Sequence, residues 1–312
     1  MFALREIAVS LSCFVVLYCL LSALVAIAWR PVQPLQVAQR SVATILFALR
    51  VVPLVVSVIV TFALVVPSFQ LLEPRAIGDD MGAIPLALSV CAVLWIALGC
   101  SRAIAIQTRT TRVATRWLEG ALPLNGNADF TATFQSRRET PPLTLVGVCH
   151  PRVLVSESTL ALLSHNELSI ALKHELEHIK SHDNLKKLVF RCCPFPGMVK
   201  LESAWAESAE LAADDAAISN QCEAVDLAAA LVKLSRLVPV EALPVYAMGF
   251  AAGSLSQRVA RLLAWDEASK ARRVRIRTWF VVPPVVAVSL LVSIAYGPVL
   301  ALTHHVTEWL VR

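Results

Sequence analysis

Four long stretches without a charged residue govern what this chain can fold into: Ile7–Trp29, Val51–Leu72, Met81–Ser101 and Thr278–Thr303. Each is close to the roughly 20 apolar residues that cross a bilayer as one helix. Hydrocarbon offers the backbone no hydrogen bonds, so such runs must satisfy their own polar groups as helices. Composition agrees. Of 312 residues, 57 % are hydrophobic and only 16 % are charged, against about 25 % charged in soluble domains. The net charge of +5 is too small to imply direct nucleic-acid binding. Basic residues in such a chain fix topology instead.

Ala26-Ile27-Ala28 has the form of a signal-peptidase site. The preceding apolar run is longer than a usual leader core, and Arg5 is offset by Glu6, so a retained first helix is expected. Arg30, Arg40 and Arg50 follow with no acidic residue among them, and Glu73–Asp80 is net acidic. Arg102, Arg109, Arg112 and Arg116 lie on what reads as a helix continuing beyond the third run. Five basic residues between Lys270 and Arg277 precede the fourth. The positive-inside rule then places the Arg30–Arg50 loop and the long Arg102–Arg277 segment in the cytoplasm. Both termini, including the tail His304–Arg312, are expected outside. This divides the chain into 1–106, a three-helix membrane region; 107–277, a cytoplasmic domain; and 278–312, the fourth span with its tail. Pro53 and Pro67 fall near the ends of the second run, where they cost least. The eight cysteines show no C-x-x-C spacing and half lie in apolar runs, so free thiols are expected.

Within the cytoplasmic segment, residues 125–140 read as polar loop. Leu143–Val148 and Val153–Val155 read as two short strands joined by a turn at Cys149–Arg152. A helix is expected from Ser164 to Asn184, because Ser164 and Glu167 form a capping box and no Gly or Pro interrupts the run. Leu168, Leu172, Leu176 and Ile179 have the spacing of a buried stripe, and Lys173–Glu177 that of an i,i+4 ion pair. After a break at Cys192–Gly197, helices are expected over Met198–Ser219, Glu223–Leu237 and Leu255–Arg277.

The first of these helices carries His174-Glu175-Leu176-Glu177-His178. Residues four apart on a helix stand one above the other, so His174 and His178 can present two imidazoles to one metal ion, with Glu175 beside them. An ordinary charged helix face with two coincident histidines is the plainer alternative. A catalytic zinc needs a third protein ligand. Glu210 and Asp214, four apart on the next helix, suit that need: Glu210 as ligand, Asp214 as acceptor for the free N–H of a ligating histidine. Glu207 lies on the same face and is the fallback.

The stretch His174–Asn184, the later Glu210-Leu211-Ala212-Ala213-Asp214, and the G-x-x-x-P-x-V-x-V-S pattern of Gly147–Ser156 together resemble the BlaR/MecR-type membrane zinc metallopeptidases, or antirepressor peptidases. The resemblance covers nearly the whole chain. It implies a mainly α membrane protein with four transmembrane helices. A cytoplasmic α+β zincin-like (gluzincin) metalloprotease domain would lie between helices 3 and 4, in the bacterial inner membrane. It further implies Zn2+ held by His174, His178 and Glu210, Glu175 as general base, and Asp214 behind the ligands. The substrate would be a cytoplasmic protein such as a winged-helix transcriptional repressor. That family's β-lactam sensors carry an extracellular penicillin-binding domain with an S-x-x-K nucleophile. No S-x-x-K occurs in this sequence, so direct β-lactam acylation is not expected and any signal would enter by another route or another subunit; a homodimer or a separate sensor subunit is a candidate partner. A strand beside the cleft, Leu143–Val148 or Val153–Val155, would hold substrate by edge pairing. Tyr246 and His182 are candidate oxyanion donors, but a structural role suits either better. Two other readings stand beside this one. They are a quality-control protease like the HtpX-type metallopeptidases, and a non-catalytic membrane receptor or scaffold with a structural metal. A purely structural site has no need of Glu175.

Overall fold

The computed structural model describes residues 2–29, 37–73, 82–124, 133–136, 140–148, 150–237, 252–266 and 295–311. The protein is mostly helical with one small mixed sheet. Three helical segments are long and apolar enough to cross a membrane. They are α1 (Phe2–Ala28), the continuous path of α2 (Gln39–Val60), a π-helical turn (Thr61–Val65) and α3 (Val66–Leu72), and α4 (Ala83–Leu118). Leu20, Ile27, Phe62, Leu71, Ile84 and Leu94 are all exposed on them, as a lipid-facing surface requires. Their shared interior is small and polar at key points. Ser22 and Ser57 are fully buried, and Ser12 Oγ donates to both its own helix at Ala8 O and to Pro85 O of α4, each at 2.7 Å. Most of the fourth apolar run, 278–294, lies outside the described residues.

Two details of the membrane region depart from expectation. The second helix begins at Gln39, so Arg40 and Arg50 are helical rather than in a loop, and Pro53 is interior. The π-helical turn Thr61–Val65 lies just before Pro67, the second proline of this path, which cannot donate a ladder hydrogen bond. A further helix, α11 (Tyr296–Val311), runs through His304–Val311, past the expected end of the fourth run at Thr303. By contrast, α4 continues unbroken through Arg102, Arg109, Arg112 and Arg116, as expected.

Four strands follow: β1 (Leu122–Pro123), β2 (Thr133–Ser136), β3 (Leu143–Val146) and β4 (Arg152–Ser156), in the order β1-β2-β4-β3. β4 pairs parallel to β2 and antiparallel to β3. Its Val153, Leu154 and Val155 are wholly buried. Paired on both sides, β4 has no free edge, so of the two candidate substrate strands only β3 remains. The first two strands were unexpected because short, irregular sequence gave no alternation to read. Gly147 turns the chain after β3 with φ +92, and a Cβ there would meet His150 O at 2.7 Å.

Helices α5 (Glu157–Leu162), α6 (His165–Lys180), α7 (Asp183–Cys192), α8 (Val199–Ala217), α9 (Gln221–Leu237) and α10 (Ala252–Leu263) complete the domain. The Ser164 capping box forms, with Glu167 N donating to Ser164 Oγ and Ser164 N donating to Glu167 Oε2. Lys233 of α9 pairs with that same carboxylate at 2.7 Å. Ile170 of α6 packs with Ala224, Leu227 and Leu231 of α9 and Leu262 of α10. The opposite stripe, Leu168, Leu172 and Ile179, packs on β3 and β4. The expected Lys173–Glu177 pair does not form. Lys173 reaches Glu223 of α9, and Glu177 pairs with Lys180 and with Arg40, because tertiary partners compete successfully with a weak surface pair. The helix expected up to Asn184 instead ends at Lys180. His182 takes a left-handed conformation (φ 54) and α7 starts anew at Asp183. Past α10, the chain leaves the helix at Ala264–Asp266, so no continuous helix runs from Leu255 to Arg277.

Candidate metal centre

Two packed helices build the site. α6 supplies His174 and His178, one turn apart, and α8 supplies Glu210 and Asp214 in the same relation. The two imidazoles are buried and face each other through Nε2, 3.2 Å apart. Glu210 Oε2 is 3.5 Å from His174 Nε2, and Oε1 is 3.5 Å from His178 Nε2. These three residues form one group whose ligand atoms lie within 4.8 Å of one another. Glu207, the fallback, is not in that group.

The far side of each ring is also occupied. His178 Nδ1 hydrogen-bonds Asp183 Oδ2 at 2.7 Å. Asp214 Oδ1 lies 2.9 Å from His174 Nδ1, close but out of line for a hydrogen bond, which leaves that nitrogen without an aligned partner among the described residues. A carboxylate behind each ring favours the proton on Nδ1 and the lone pair on Nε2. With both rings neutral, two lone pairs point at each other and at a carboxylate, an arrangement that only a proton or a metal cation between them relieves. The 3.2 Å separation is about the chord between two nitrogens held about 2.0–2.1 Å from one tetrahedral ion. The donor set therefore fits a divalent metal.

Asp183 was not anticipated as a partner of His178. On an uninterrupted helix it would point elsewhere; the left-handed His182 reverses the chain and returns it. Lys186 holds its other oxygen at 3.1 Å, and Asn184 Nδ2 donates to Gly147 O at 2.9 Å, joining α7 to the turn after β3. Burial would raise the Asp183 carboxyl, but His178 and Lys186 outweigh it and hold it below its usual value.

Arg258 of α10 is the other unanticipated residue. Only 2 % exposed, it donates to Asp214 through Nε and Nη2 at 2.8 and 2.7 Å, and to Glu210 Oε2 through Nη1 at 3.0 Å. Nothing in the sequence marks it, since an arginine on an amphipathic helix usually faces water. Arg261, one turn on, grips Asp215 through both oxygens. Burial disfavours charge on all these groups, yet mutual pairing prevails. Glu210 and Asp214 are held well below the usual carboxylate range, by His174, His178 and Arg258 in the first case and by His174 and Arg258 in the second. The Arg258 guanidinium is pushed upward by Asp214, Glu210 and Glu175. Glu175 is thus near enough to be felt electrically at Arg258, and it is half-buried. Burial would lower His174, but Asp214 and Glu210 raise it to about 10.

His182 forms the left-handed turn between α6 and α7. Tyr246 lies outside the described residues. The seven described cysteines are free thiols. No protein-family model matches this chain, and no curated protein matches it either.

Proposed function

We propose that this chain is an integral membrane zinc endopeptidase whose catalytic domain hydrolyses a cytoplasmic protein. The observation that carries the reading is the convergence of two imidazole Nε2 atoms and both Glu210 oxygens on one point, with Glu175 between the two histidines in sequence. On this reading His174, His178 and Glu210 hold the ion and Asp183 and Asp214 orient the rings. When bound, zinc supplies Lewis acidity that makes a water molecule acidic near neutral pH and polarises a carbonyl. Glu175 accepts the proton from the attacking water and delivers it to the leaving amine. Arg258 keeps the Glu210 and Asp214 carboxylates ionised and fixed, so neither competes for that proton. β3, whose outer edge is unpaired within the sheet, aligns an extended substrate segment.

The zincin-like domain, a fourth span within 278–303 and the cytoplasmic orientation belong to the same proposal, as does residence in a bacterial inner membrane. They rest on the arginine distribution and on the resemblance to BlaR/MecR-type peptidases, which also suggests a winged-helix repressor as substrate. The test is cleavage by purified full-length protein, loaded with zinc, of candidate repressors and of unfolded casein. Chelator-sensitive cleavage of one folded repressor supports regulation. Indiscriminate cleavage of unfolded chains supports quality control instead. No cleavage of any substrate by zinc-loaded protein leaves a metal-binding scaffold.

A further inference from the structure

A second group of metal-type donors stands far from α6. α1 measures the separation. Near its start, Phe2 stacks on Phe69 and Arg5 pairs with Glu73. Near its end, Val25 and Ala26 pack against the cluster of Phe190, Met198 and Trp205 beneath α8. The 27 residues of α1 rise about 1.5 Å each, roughly a membrane's thickness. At the far end, Glu73 follows α3, while His304 and Glu308 stand one turn apart on α11, the spacing that His174 and His178 have on α6.

We propose that Glu73, His304 and Glu308 form a second binding site for a divalent transition metal, at the end of the helix bundle remote from the α6–α8 centre. Their donor atoms lie within 4.8 Å of one another. His304 Nε2 is 3.9 Å from Glu73 Oε2 and 3.8 Å from Glu308 Oε1, so the imidazole faces a carboxylate on each side. Arg5 takes Glu73 Oε1, and among the described residues no lysine or second arginine pairs with the group. The side chains of Glu73 and His304 are 14 % and 12 % exposed, and that of Glu308 is 39 % exposed. His304 Nδ1 is buried with no hydrogen-bond partner among the described residues, which leaves Nε2 as the ring's one working nitrogen. A neutral imidazole can donate through Nε2 to one carboxylate only. A bound cation accepts its lone pair and neutralises both carboxylates together. One imidazole with two carboxylates suits zinc-like ions better than magnesium or calcium, which take oxygen ligands. His305 Nδ1, 4.0 Å from Glu308 Oε2, is a nearby competing nitrogen. Because Glu73 and α11 belong to separate elements, an ion there would fasten the last helix to the end of α3; Tyr296 Oη already donates to Ala63 O of the π-helical turn at 3.0 Å.

This site is independent of the peptidase reading, and stoichiometry separates the two. Metal-stripped full-length protein in detergent is dialysed against Zn2+ at pH 7.5 and its bound zinc is measured by elemental analysis. Wild type should hold two equivalents. His304→Ala and Glu308→Gln should each hold one, and a His174→Ala/His178→Ala double variant should also hold one. Glu308→Gln preserves shape, so its loss of a single equivalent with unchanged melting is not unfolding. One equivalent in wild type that survives both His304→Ala and Glu308→Gln, or a second that survives Glu308→Gln as an adventitious ion only would, overturns the proposal. Two equivalents in the His174/His178 double variant would instead count against the α6 centre alone.

Discussion

The two ends of α8 each meet a buried arginine, and they use it differently. At the N-terminal end Arg50, from a helix long and apolar enough to cross a membrane and 2 % exposed, pairs with Glu202 at 2.9 Å and donates to Cys193 O. Its guanidinium lies over Phe190, which meets Trp205 edge-on at 5.0 Å. Eight residues along, Arg258 grips Glu210 and Asp214. Arg50's carboxylate partner touches no histidine, so that contact anchors the domain to the membrane helices. Arg258's partners both touch His174, so that contact sets the electrostatics of the candidate metal centre. Identical chemistry becomes structural or functional according to what the carboxylate faces next.

The comparison breaks most sharply at the ligands. His174→Ala, His178→Ala and Glu210→Ala should each lose nearly all metal at the α6–α8 centre, measured by elemental analysis, whereas Glu202→Gln should lose none. Full retention in Glu210→Ala would move the third ligand to Glu207 or elsewhere. Next in size are the arginines. Removing one partner from a buried pair costs about 3–5 kcal/mol. Arg258→Ala should reach that range in denaturant unfolding of the metal-free protein and also weaken metal binding. Arg50→Ala should fall at its lower end, about 3 kcal/mol, because Glu202 keeps some contact with water. Its metal affinity should be unchanged. Equal losses of affinity in both variants would erase the distinction between the two ends.

Smaller effects sharpen the picture behind the rings. Asp183→Asn and Asp214→Asn should each weaken metal affinity about 10–100-fold, read by competition with a chromophoric chelator. An effect at Asp214 with none at Asp183 would mean that the His182 turn does not orient His178. Acidity gives the last contrast. His174 is raised from 6.5 to about 10 in the metal-free protein, and a histidine ligand must be deprotonated. Metal uptake should therefore release a proton, and apparent affinity should climb as pH rises toward 10. The metal-free fold, conversely, keeps the stabilisation from protonated His174 below about pH 6.5 and loses it as pH rises to about 10. Affinity that is flat between pH 7 and 9 would contradict this.

What the sequence made legible was whatever repeats at short range. Apolar length marked α1, α2–α3 and α4. The Ser164 box marked the start of α6, and i,i+4 spacing marked His174 with His178 and Glu210 with Asp214. The rest depended on contacts between distant residues. Asp183 reaches His178 only because one residue adopts a left-handed turn, a conformation uncommon in any non-glycine residue even though histidine is enriched in it. Arg258 and Arg50 look like solvated or topology-setting charges until α10 and α2 pack on α8. The pairing of β2 with β4 joins segments too short and too far apart to announce themselves, and Lys173 found Glu223 because α9 lies beside it.

The most direct measurement on the central claim concerns Glu175. It stands between the two histidines in sequence yet is not among the grouped metal donors. Purified wild type and Glu175→Gln are compared at matched zinc content on a substrate that wild type cleaves. The substitution keeps size and removes the base. Zinc binding and melting should therefore stay near wild type while the cleavage rate falls about 10²–10⁴-fold. A Glu175→Gln protein that cleaves at the wild-type rate with its zinc in place would contradict the account.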